Sequence, residues 1–461
     1  MNIDRVLAKV PEFSRFATVK ELGELVRSVE DSRSADEVRC VGRSAGGLPI
    51  HHLRFGRGRI KALFVGFPHP NEPIGGNTVQ TLIKLLEENN EELCSSDIEW
   101  NIIPCIDPDG AMLNEQWTQE PFSLDRHMRG FHRQEYEDQV EYSFPIRHRL
   151  LQFDDIKHEA AILRDVLNDV LPDFYYPLHN NAGAGGAYFL SNRDLGGKAN
   201  QHLIAVAKEY GLGIQINLPY EQLVQRFADG VFEILPTSRW YDSLSETASD
   251  PDHLVRIGCA SWEYLVEIKP AAVTLLAELP MLAHPSDGSQ VHSGENLRRI
   301  KLGIDAQNKF VAAEILQTWD DVSPFIETSN PFYKKVYQGV VSQRRSLAAG
   351  LAFSPARTED TLFNSSYSRE AVEGERFNVL FLEGYFVLCH LYEFVRLLKA
   401  VPEKPEIAAA IQRLDKIFSD VLRSISTRME ADKFSQISPR SLTSVQLASG
   451  LVALNAIMDL Q

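Results

Sequence analysis

The chain has 461 residues, enough for two or three domains with a sizeable core, and its 44% hydrophobic content is ordinary for a globular protein. Its formal net charge of −16 at pH 7 argues against nucleic acid or an anionic membrane as a partner. Charged residues interrupt the longest apolar stretch, around residues 378–401, so we expect no membrane span there.

The first 110 residues are predicted to contain an outer helical segment and the start of a sheet. Residues 1–37 carry short amphipathic helical patterns, which indicate an N-terminal helical extension packed on the outside of the next domain. Residues 38–110 follow the order strand, strand, helix, strand. The last of these strands ends at Asp107-Pro108-Asp109-Gly110, which is a turn sequence.

Two candidate metal ligands lie where a buried strand turns into a helix. The apolar run 62–65 leads into His69-Pro70-Asn71-Glu72, and apolar residues then recur at helical spacing. We therefore expect His69 and Glu72 at the edge of an α/β sheet where such sheets bind their ligands. An imidazole and a nearby carboxylate can share one metal ion.

A third candidate ligand follows a later strand. Residues 111–153 are predicted to be irregular and to hold substrate contacts, and residues 157–171 are predicted to be helical. The next strand ends at His179. We interpret the glycine-rich loop 183–186 as a segment whose lack of side chains lets the backbone pass close to a metal. His253 and His284 compete with His179, but neither follows a comparably apolar strand.

A general base is predicted near the end of the domain, with two candidates left open. Glu278 ends a seven-residue apolar run, which indicates a buried strand that delivers its carboxylate at the carboxyl end. Glu267 lies in a segment with helical spacing, where Glu263 and Glu267 would share an exposed face. We favour Glu278 as the base.

After about residue 290 long helical patterns dominate. One apolar face is traced by residues at spacings of three and four: Ile407, Ile411, Leu414, Phe418, Val421 and Ile425. We predict an N-terminal extension over 1–37, an α/β domain over 38–295 with a mixed twisted sheet flanked by helices, and an additional all-helical C-terminal domain over 296–461.

Four segments in order resemble the zinc carboxypeptidase superfamily, the M14-type metallocarboxypeptidases. They are Val41 to Ile50, similar to the family's G-x-S-x-x-G-x-P-I hairpin; the H-x-x-E motif of His69 and Glu72; Ile103 to Gly110, close to P-x-x-N-P-D-G but with Asp107 where asparagine is usual; and the strand end at His179. The resemblance spans roughly residues 38–285, and the later residues resemble nothing we can name.

The resemblance implies a function and a set of site residues. It implies one Zn²⁺ per chain on His69, Glu72 and His179, and a glutamate base. It also implies a catalytic arginine, Arg126 or Arg133, that stabilises the tetrahedral oxyanion or binds a substrate carboxylate. No Asn-Arg pair lies between the third segment and His179, where the family has one, so Arg126 and Arg133 are the best matches in that region, with Arg129 beside them. The family's tyrosine near the scissile bond has no clear match among Tyr220, Tyr241 and Tyr264.

The predicted activity is therefore metal-dependent hydrolysis of a peptide or small amide substrate near a C-terminal carboxylate. One alternative is a zinc N-acyl-amino-acid deacylase resembling aspartoacylase and succinylglutamate desuccinylase. Another is a non-catalytic scaffold with a relict site.

The N-terminus lacks the apolar core of a secretory signal, and the five scattered cysteines are typical of reduced thiols, so we expect a cytoplasmic protein. We also consider that the helical C-terminal domain forms the interface of a homo-oligomer.

Overall fold

The computed structural model describes residues 1–94, 97–119, 123–181, 185–218, 220–246, 257–348, 369–428, 433 and 435–460, except for some helical side chains in its second half. The chain divides into two compact units. The sheet unit contains Met1–Pro121, Tyr136–Ala283 and Gln436–Gln461, and the helical unit contains Phe122–Glu135 and His284–Ser435.

The strands, numbered in chain order, are β1 (Glu37–Arg43), β2 (Pro49–Phe55), β3 (Ile60–Val65), β4 (Ile98–Ile103), β5 (Ile146–His148), β6 (Leu151–Phe153), β7 (Phe174–Pro177), β8 (Tyr188–Ser191), β9 (Arg226–Ala228), β10 (Val231–Glu233), β11 (Val273–Glu278), β12 (Leu282–Ala283), β13 (His292–Asn296), β14 (Glu370–Val372) and β15 (Ser435–Gln436).

The helices are α1 (Ile3–Leu7), α2 (Val19–Ser32), α3 (Ile74–Glu87), α4 (Glu91–Cys94), α5 (Pro108–Thr118), α6 (Leu124–Gly130), α7 (His158–Val170), α8 (Gly197–Glu209), α9 (Thr237–Ser245), α10 (Ser261–Ile268), α11 (Leu297–Val322), α12 (Tyr333–Ala348), α13 (Glu373–Lys399), α14 (Pro405–Arg428) and α15 (Pro439–Leu460).

In the described part of the chain, nine strands form one mixed sheet in the order β1-β2-β4-β3-β7-β11-β8-β10-β9. Its centre is parallel, because β3 pairs in parallel with both β4 and β7, and β11 pairs in parallel with β7. β8 then runs antiparallel to β11. The carboxyl ends of β3, β7 and β11 therefore meet at one edge, which is where such sheets place their ligands.

Helices cover both faces of the sheet, because successive side chains of a strand point to opposite faces. Leu63 and Val65 of β3 join a buried cluster with α7 and α10. Phe64 between them belongs to the other face, where its ring centroid is 5.4 Å from that of Tyr176. A Cβ at Gly450 of α15 would be 2.9 Å from the Tyr176 ring, so only glycine lets α15 lie this close.

The α/β fold class with a helical region after it is confirmed, but the units are divided differently from the predicted boundaries. The predicted C-terminal domain was 296–461, whereas α15 belongs to the sheet unit, where it packs against α3 and α8. The predicted α/β domain included α6, which belongs to the helical unit. Residues 111–153, predicted to be irregular, include most of α5 and all of α6.

Burial explains why α15 is apolar around most of its circumference. Among the described helices, only this one, over Pro439–Asp459, is long and apolar enough to cross a membrane, and 78% of its most apolar window is buried inside the protein. A core helix that is covered on all sides has the same composition. We therefore interpret α15 as part of the core of the sheet unit.

The helical unit has a core of its own. The predicted apolar face of α14 is confirmed for Ile407, Leu414, Phe418 and Val421, all of which are buried, while Ile411 is half-buried and the side chain of Ile425 lies outside the described residues. α13 packs against α11, α12, α14 and α6. β13 and β14, which are far apart in the chain, pair as a two-stranded antiparallel sheet in the same unit.

Candidate metal centre

The first two candidate ligands lie in the loop between β3 and α3. The backbone amide of Gly66 donates a hydrogen bond to Ile103 at the end of the parallel neighbour β4, which fixes the start of this loop. A turn follows, in which the amide of Glu72 donates to the carbonyl oxygen of His69 over 3.2 Å. Pro73 is the N-cap of α3. The predicted strand-to-helix placement of His69 and Glu72 is confirmed.

The third candidate ligand lies directly after β7. The amide of Leu178 donates to the carbonyl oxygen of Val65, so the two strands remain paired up to the loops that carry the ligands. The first turn of α3 lies against Leu178, and a Cβ at Gly75 would be 2.9 Å from the Leu178 Cβ. The absence of a side chain at Gly75 allows His179 to approach the other two ligands.

The structure brings these three residues together in one buried place. His69, Glu72 and His179 are 1%, 2% and 3% exposed, and each offers a ligand atom within 4.8 Å of the others. The Nδ1 atom of His179 is 3.0 Å from Oε2 of Glu72, and the two imidazole centroids are 4.9 Å apart. Within the described residues, no other group of three acidic, histidine or cysteine side chains meets in this way.

The electrostatics of the site favour a cation. Burial alone would lower the pKa of His179, but the carboxylates of Glu72, Glu141 and Glu278 outweigh burial and raise it to about 9. Excess negative charge is therefore concentrated at this imidazole. The buried Nε2 of His179 and the buried side-chain oxygens of Asn71 and Asn180 have no hydrogen-bond partner within the described part of the chain. Two imidazoles and one carboxylate are the donors that zinc takes, so these residues fit a bound Zn²⁺.

The candidate base lies at the same edge of the sheet. Glu278 is the last residue of β11, as predicted, and its side chain is half-buried. Burial and, after it, the charge of Glu278 raise the pKa of the phenols of Tyr188 and Tyr220, and the same charge contributes to the raised pKa of His179. The competing candidate, Glu267, is exposed on α10 as predicted, but Glu263, predicted to share its exposed face, is half-buried and accepts a hydrogen bond from Thr237. The assignment of Glu278 as the base stays a prediction.

Sequence reasoning missed a buried carboxylate close to the metal ligands. Both side-chain oxygens of Glu141 lie 2.8 Å from the hydroxyl of Ser261, and that hydroxyl lies 2.9 Å from the phenol of Tyr175. Burial raises the pKa of Glu141 to about 7, although the charge of His179 and the hydrogen bond from Ser261 act in the opposite direction. Contacts between segments that are distant in sequence place Glu141 near the candidate ligands, and no local sequence pattern predicts this position.

The tyrosine beside the ligands also differs from the sequence candidates. The ring of Tyr142 is 5.3 Å from that of His69, between centroids, and lies in the segment predicted to hold substrate contacts. Of the sequence candidates, Tyr220 interacts with Glu278. Tyr241 is buried in a separate apolar cluster, and the hydroxyl of Tyr264 bonds Asn168.

The three predicted arginines all belong to the helical unit. Arg126 and Arg129 lie on α6 and Arg133 follows it, and each is half-buried. Arg129 forms ion pairs with Asp125 and Asp415, and its guanidinium lies 4.3 Å from the ring centroid of Phe418. These contacts indicate that Arg129 has a structural role within the helical unit. Substrate binding by Arg126, Arg129 and Arg133 stays a prediction.

The remaining sequence candidates lie elsewhere. His284 belongs to the helical unit, and its Nδ1 accepts a hydrogen bond from the amide of Ser286. His253 and the loop positions 183 and 184 lie outside the described residues. The hairpin of the first resemblance segment is formed by β1 and β2, and the amide of Gly46 at its tip donates to Asp109 of the third segment over 2.6 Å.

No protein-family model and no curated protein matches the sequence. Solved structures similar to this chain include carboxypeptidase A from Helicoverpa armigera, which is 14% identical, with 60% of this chain and 70% of that chain covered and a TM-score of 0.38. A metallo-carboxypeptidase from Burkholderia cenocepacia is 13% identical, with coverages of 57% and 60% and a TM-score of 0.33. Bovine thrombin-activatable fibrinolysis inhibitor, solved with a tick carboxypeptidase inhibitor, is 11% identical, with coverages of 57% and 86% and a TM-score of 0.35.

Two of these solved structures are named as carboxypeptidases, and the third was solved with a carboxypeptidase inhibitor. With TM-scores of 0.33–0.38, the likeness is too distant to assign an activity. A functional proposal therefore depends on the residues of the site itself.

Proposed function

We propose that this protein is a zinc-dependent hydrolase of the metallocarboxypeptidase type, which cleaves a peptide or amide bond near a C-terminal carboxylate. The observation that carries the proposal is the buried group of His69, Glu72 and His179, whose ligand atoms lie within 4.8 Å of one another. Two histidines and one glutamate, with a remaining position open, are the ligand set of a catalytic zinc site, as in carboxypeptidase A.

The proposed chemistry needs a cation and a base. A bound Zn²⁺ would supply Lewis-acid polarisation of the scissile carbonyl and a water of lowered pKa. Glu278 takes a proton from the attacking water and passes it to the nitrogen of the leaving amine. Its position at the end of β11 supports this role, because its negative charge acts on His179 while its side chain remains only half-buried.

The substrate class follows from the predicted anion-binding residues. A guanidinium binds a carboxylate in bidentate fashion, so we propose that arginine binds the C-terminal carboxylate of the substrate, as the resemblance to the metallocarboxypeptidases implies. A substrate with a free carboxylate should then be cleaved much faster than the same peptide with an amidated C-terminus. We place the reaction in the cytoplasm on the cysteine usage of the chain.

The test joins metal analysis to a peptide-library digest read by mass spectrometry. Stoichiometric zinc together with loss of C-terminal residues from peptides would support the proposal. Cleavage of N-acetyl or N-succinyl amino acids with no cleavage of peptides would replace it with the deacylase alternative. A purified chain without zinc that cannot be loaded with zinc would support the scaffold alternative.

A further inference from the structure

One side chain of α15 contacts two of the segments that carry the metal ligands. Gln446 is fully buried, and its Nε2 donates a hydrogen bond to the backbone carbonyl oxygen of His179 over 2.7 Å. Its Oε1 accepts a hydrogen bond from the hydroxyl of Thr78 over 2.7 Å. Both polar groups of the amide are therefore used within the core of the sheet unit.

These two partners define what Gln446 holds in place. Thr78 lies on α3, six positions after Glu72, on the helix that follows the first two candidate ligands. His179 is the third candidate ligand itself. The backbone carbonyl oxygen of Gln446 also accepts a hydrogen bond from the phenol of Tyr176 on β7, over 2.9 Å. One residue of α15 thus links α3, β7 and the loop after β7.

We infer that Gln446 is a positioning residue of the metal centre, an inference that rests on the proposed function. Its amide fixes the backbone of His179 relative to α3, and so sets the distance between the imidazole of His179 and the ligands that precede α3. Metal sites tolerate only small errors in ligand position, and groups that orient the ligands contribute strongly to affinity. The acceptor of the hydrogen bond is the backbone carbonyl oxygen of His179, so Gln446 acts on this ligand through the main chain of His179.

The alternative is that Gln446 serves only to satisfy buried hydrogen-bonding groups. That role would affect the stability of the fold but not the geometry of the bound ion. The two roles are separated by a readout of the metal itself. Cobalt(II) in place of zinc has a visible absorption spectrum that depends on the arrangement of its ligands, and it can be measured at saturating metal, where affinity no longer matters.

The experiment uses the full chain with the variants Gln446→Leu and Thr78→Val, alone and together. Leucine keeps most of the volume of glutamine but makes no hydrogen bond, and valine has the shape of threonine without its hydroxyl. The matched control is Thr443→Val, since Thr443 is also buried on α15 but its hydroxyl bonds the carbonyl oxygen of Pro439 in the same helix. Zinc affinity is measured by competition with a chelator, with the melting temperature of the metal-free protein beside it.

We expect Gln446→Leu and Thr78→Val each to weaken zinc binding, by roughly 10- to 100-fold for Gln446→Leu, and to change the cobalt spectrum. The double variant should be little weaker than Gln446→Leu, because both changes break one connection. Thr443→Val should keep the wild-type affinity and spectrum. If Gln446→Leu does not fold, the isosteric Thr78→Val decides by the same two measurements.

Unchanged zinc affinity and an unchanged cobalt spectrum in the folded variants would overturn the positioning role, even if their melting temperatures fall. A wild-type chain that binds no zinc would instead overturn the proposed function. The first result leaves the metal site intact, so the two failures are told apart by the wild-type measurement.

Discussion

The backbone amide of Asn181 donates a hydrogen bond to the carbonyl oxygen of Leu279 over 3.2 Å. Asn181 lies two residues after the candidate ligand His179, and Leu279 directly follows the candidate base Glu278. The loops after β7 and β11 are therefore tied together at the residues next to the groups that the proposed reaction uses. This hydrogen bond joins the residue after the candidate base Glu278, at the end of β11, to the loop that carries the candidate ligand His179.

The role of Glu278 is tested by its replacement with glutamine, which keeps the shape of the side chain but cannot take a proton. We expect Glu278→Gln to lower kcat by roughly 10²–10⁴-fold while zinc remains bound. Steady-state kinetics and elemental analysis check the two parts. Glu267→Gln is the control, since Glu267 is exposed on α10, and it should have nearly wild-type activity. An inactive Glu267→Gln with an active Glu278→Gln would reverse the roles.

The metal ligands are tested by zinc content. Purified protein should hold about one zinc per chain, and His69→Ala should lose it, because two remaining protein ligands bind zinc weakly. His202→Ala is a suitable control, because His202 is exposed on α8. Stoichiometric zinc in a His69→Ala/His179→Ala double variant, measured by elemental analysis, would contradict the assignment.

Zinc binding should release protons at neutral pH. In the metal-free protein the neighbouring carboxylates raise the pKa of His179 to about 9, so this imidazole is protonated at about pH 7.5, whereas a metal ligand must be neutral. Titration calorimetry in buffers of different ionisation enthalpy counts the protons released. We expect about one proton at about pH 7.5 and a zinc affinity that increases with pH until about pH 9. Binding without proton release under these conditions would contradict the raised pKa.

The stability of the metal-free protein should depend on pH through Glu141. Its pKa is raised to about 7 in the folded protein, from its ordinary value of 4.5, so between these values the folded state binds more protons than the unfolded state. This contribution to the free energy of unfolding is fully present below about pH 4.5 and decreases as the pH rises through 7. Glu141→Gln should remove this part of the dependence.

Denaturant titrations between about pH 5 and 8 measure how the free energy of unfolding depends on pH in the metal-free wild type and in Glu141→Gln. His179 lowers the stability of both proteins as the pH rises from about 6.5 to 9, and the charge of Glu141 contributes to its raised pKa. The two profiles are therefore compared below about pH 6.5, where His179 is protonated in both the folded and the unfolded protein. Glu267→Gln removes an exposed carboxylate and should leave the profile unchanged. Parallel profiles for the wild type and Glu141→Gln would mean that Glu141 has an ordinary pKa.

The division into units makes a prediction about deletions. Removing residues 300–461 removes α15 with the rest and should give insoluble protein, since the sheet unit then loses a buried helix. Removing 284–435 keeps α15, and the amide of Ile437 lies 3.1 Å from the carbonyl oxygen of Met281, so a short Gly-Ser linker can join 283 to 436. Residues 122–135 are replaced by a second linker, because they belong to the helical unit.

We expect the second protein to be folded by circular dichroism and to bind zinc. This protein lacks Arg126, Arg129 and Arg133 as well, so its folding and zinc content, and not its activity, test the division into units. A soluble, zinc-binding 1–299 fragment would contradict the role of α15 in the sheet unit.

Local patterns predicted the features that local sequence determines. The apolar run of β3 followed by the helical spacing of α3 located His69 and Glu72, and the apolar strand β7 located His179. α5 was missed because its buried positions include Gly110, Asn114 and Thr118, so it has no apolar stripe of helical period. Glu141 and Gln446 were missed because distant segments bring them to the site, and no single sequence shows such contacts.

The assignment of α15 was wrong for a related reason. A helix that is apolar on most sides fits any core, and its sequence does not say which one. Only contacts with α3 and α8, more than two hundred residues earlier in the chain, decide the question.

The position of α15 along the chain has a consequence for synthesis. Ribosomes make residues 284–435 after most of the sheet unit but before residues 436–461, and domains generally fold as they emerge. The sheet unit, however, lacks a buried helix until α15 has been made, and Gln446 reaches His179 only then. The nascent chain therefore contains all three candidate ligands long before α15 can fix their relative positions. Under the proposed function, the metal centre would be completed only after the helical unit has been translated.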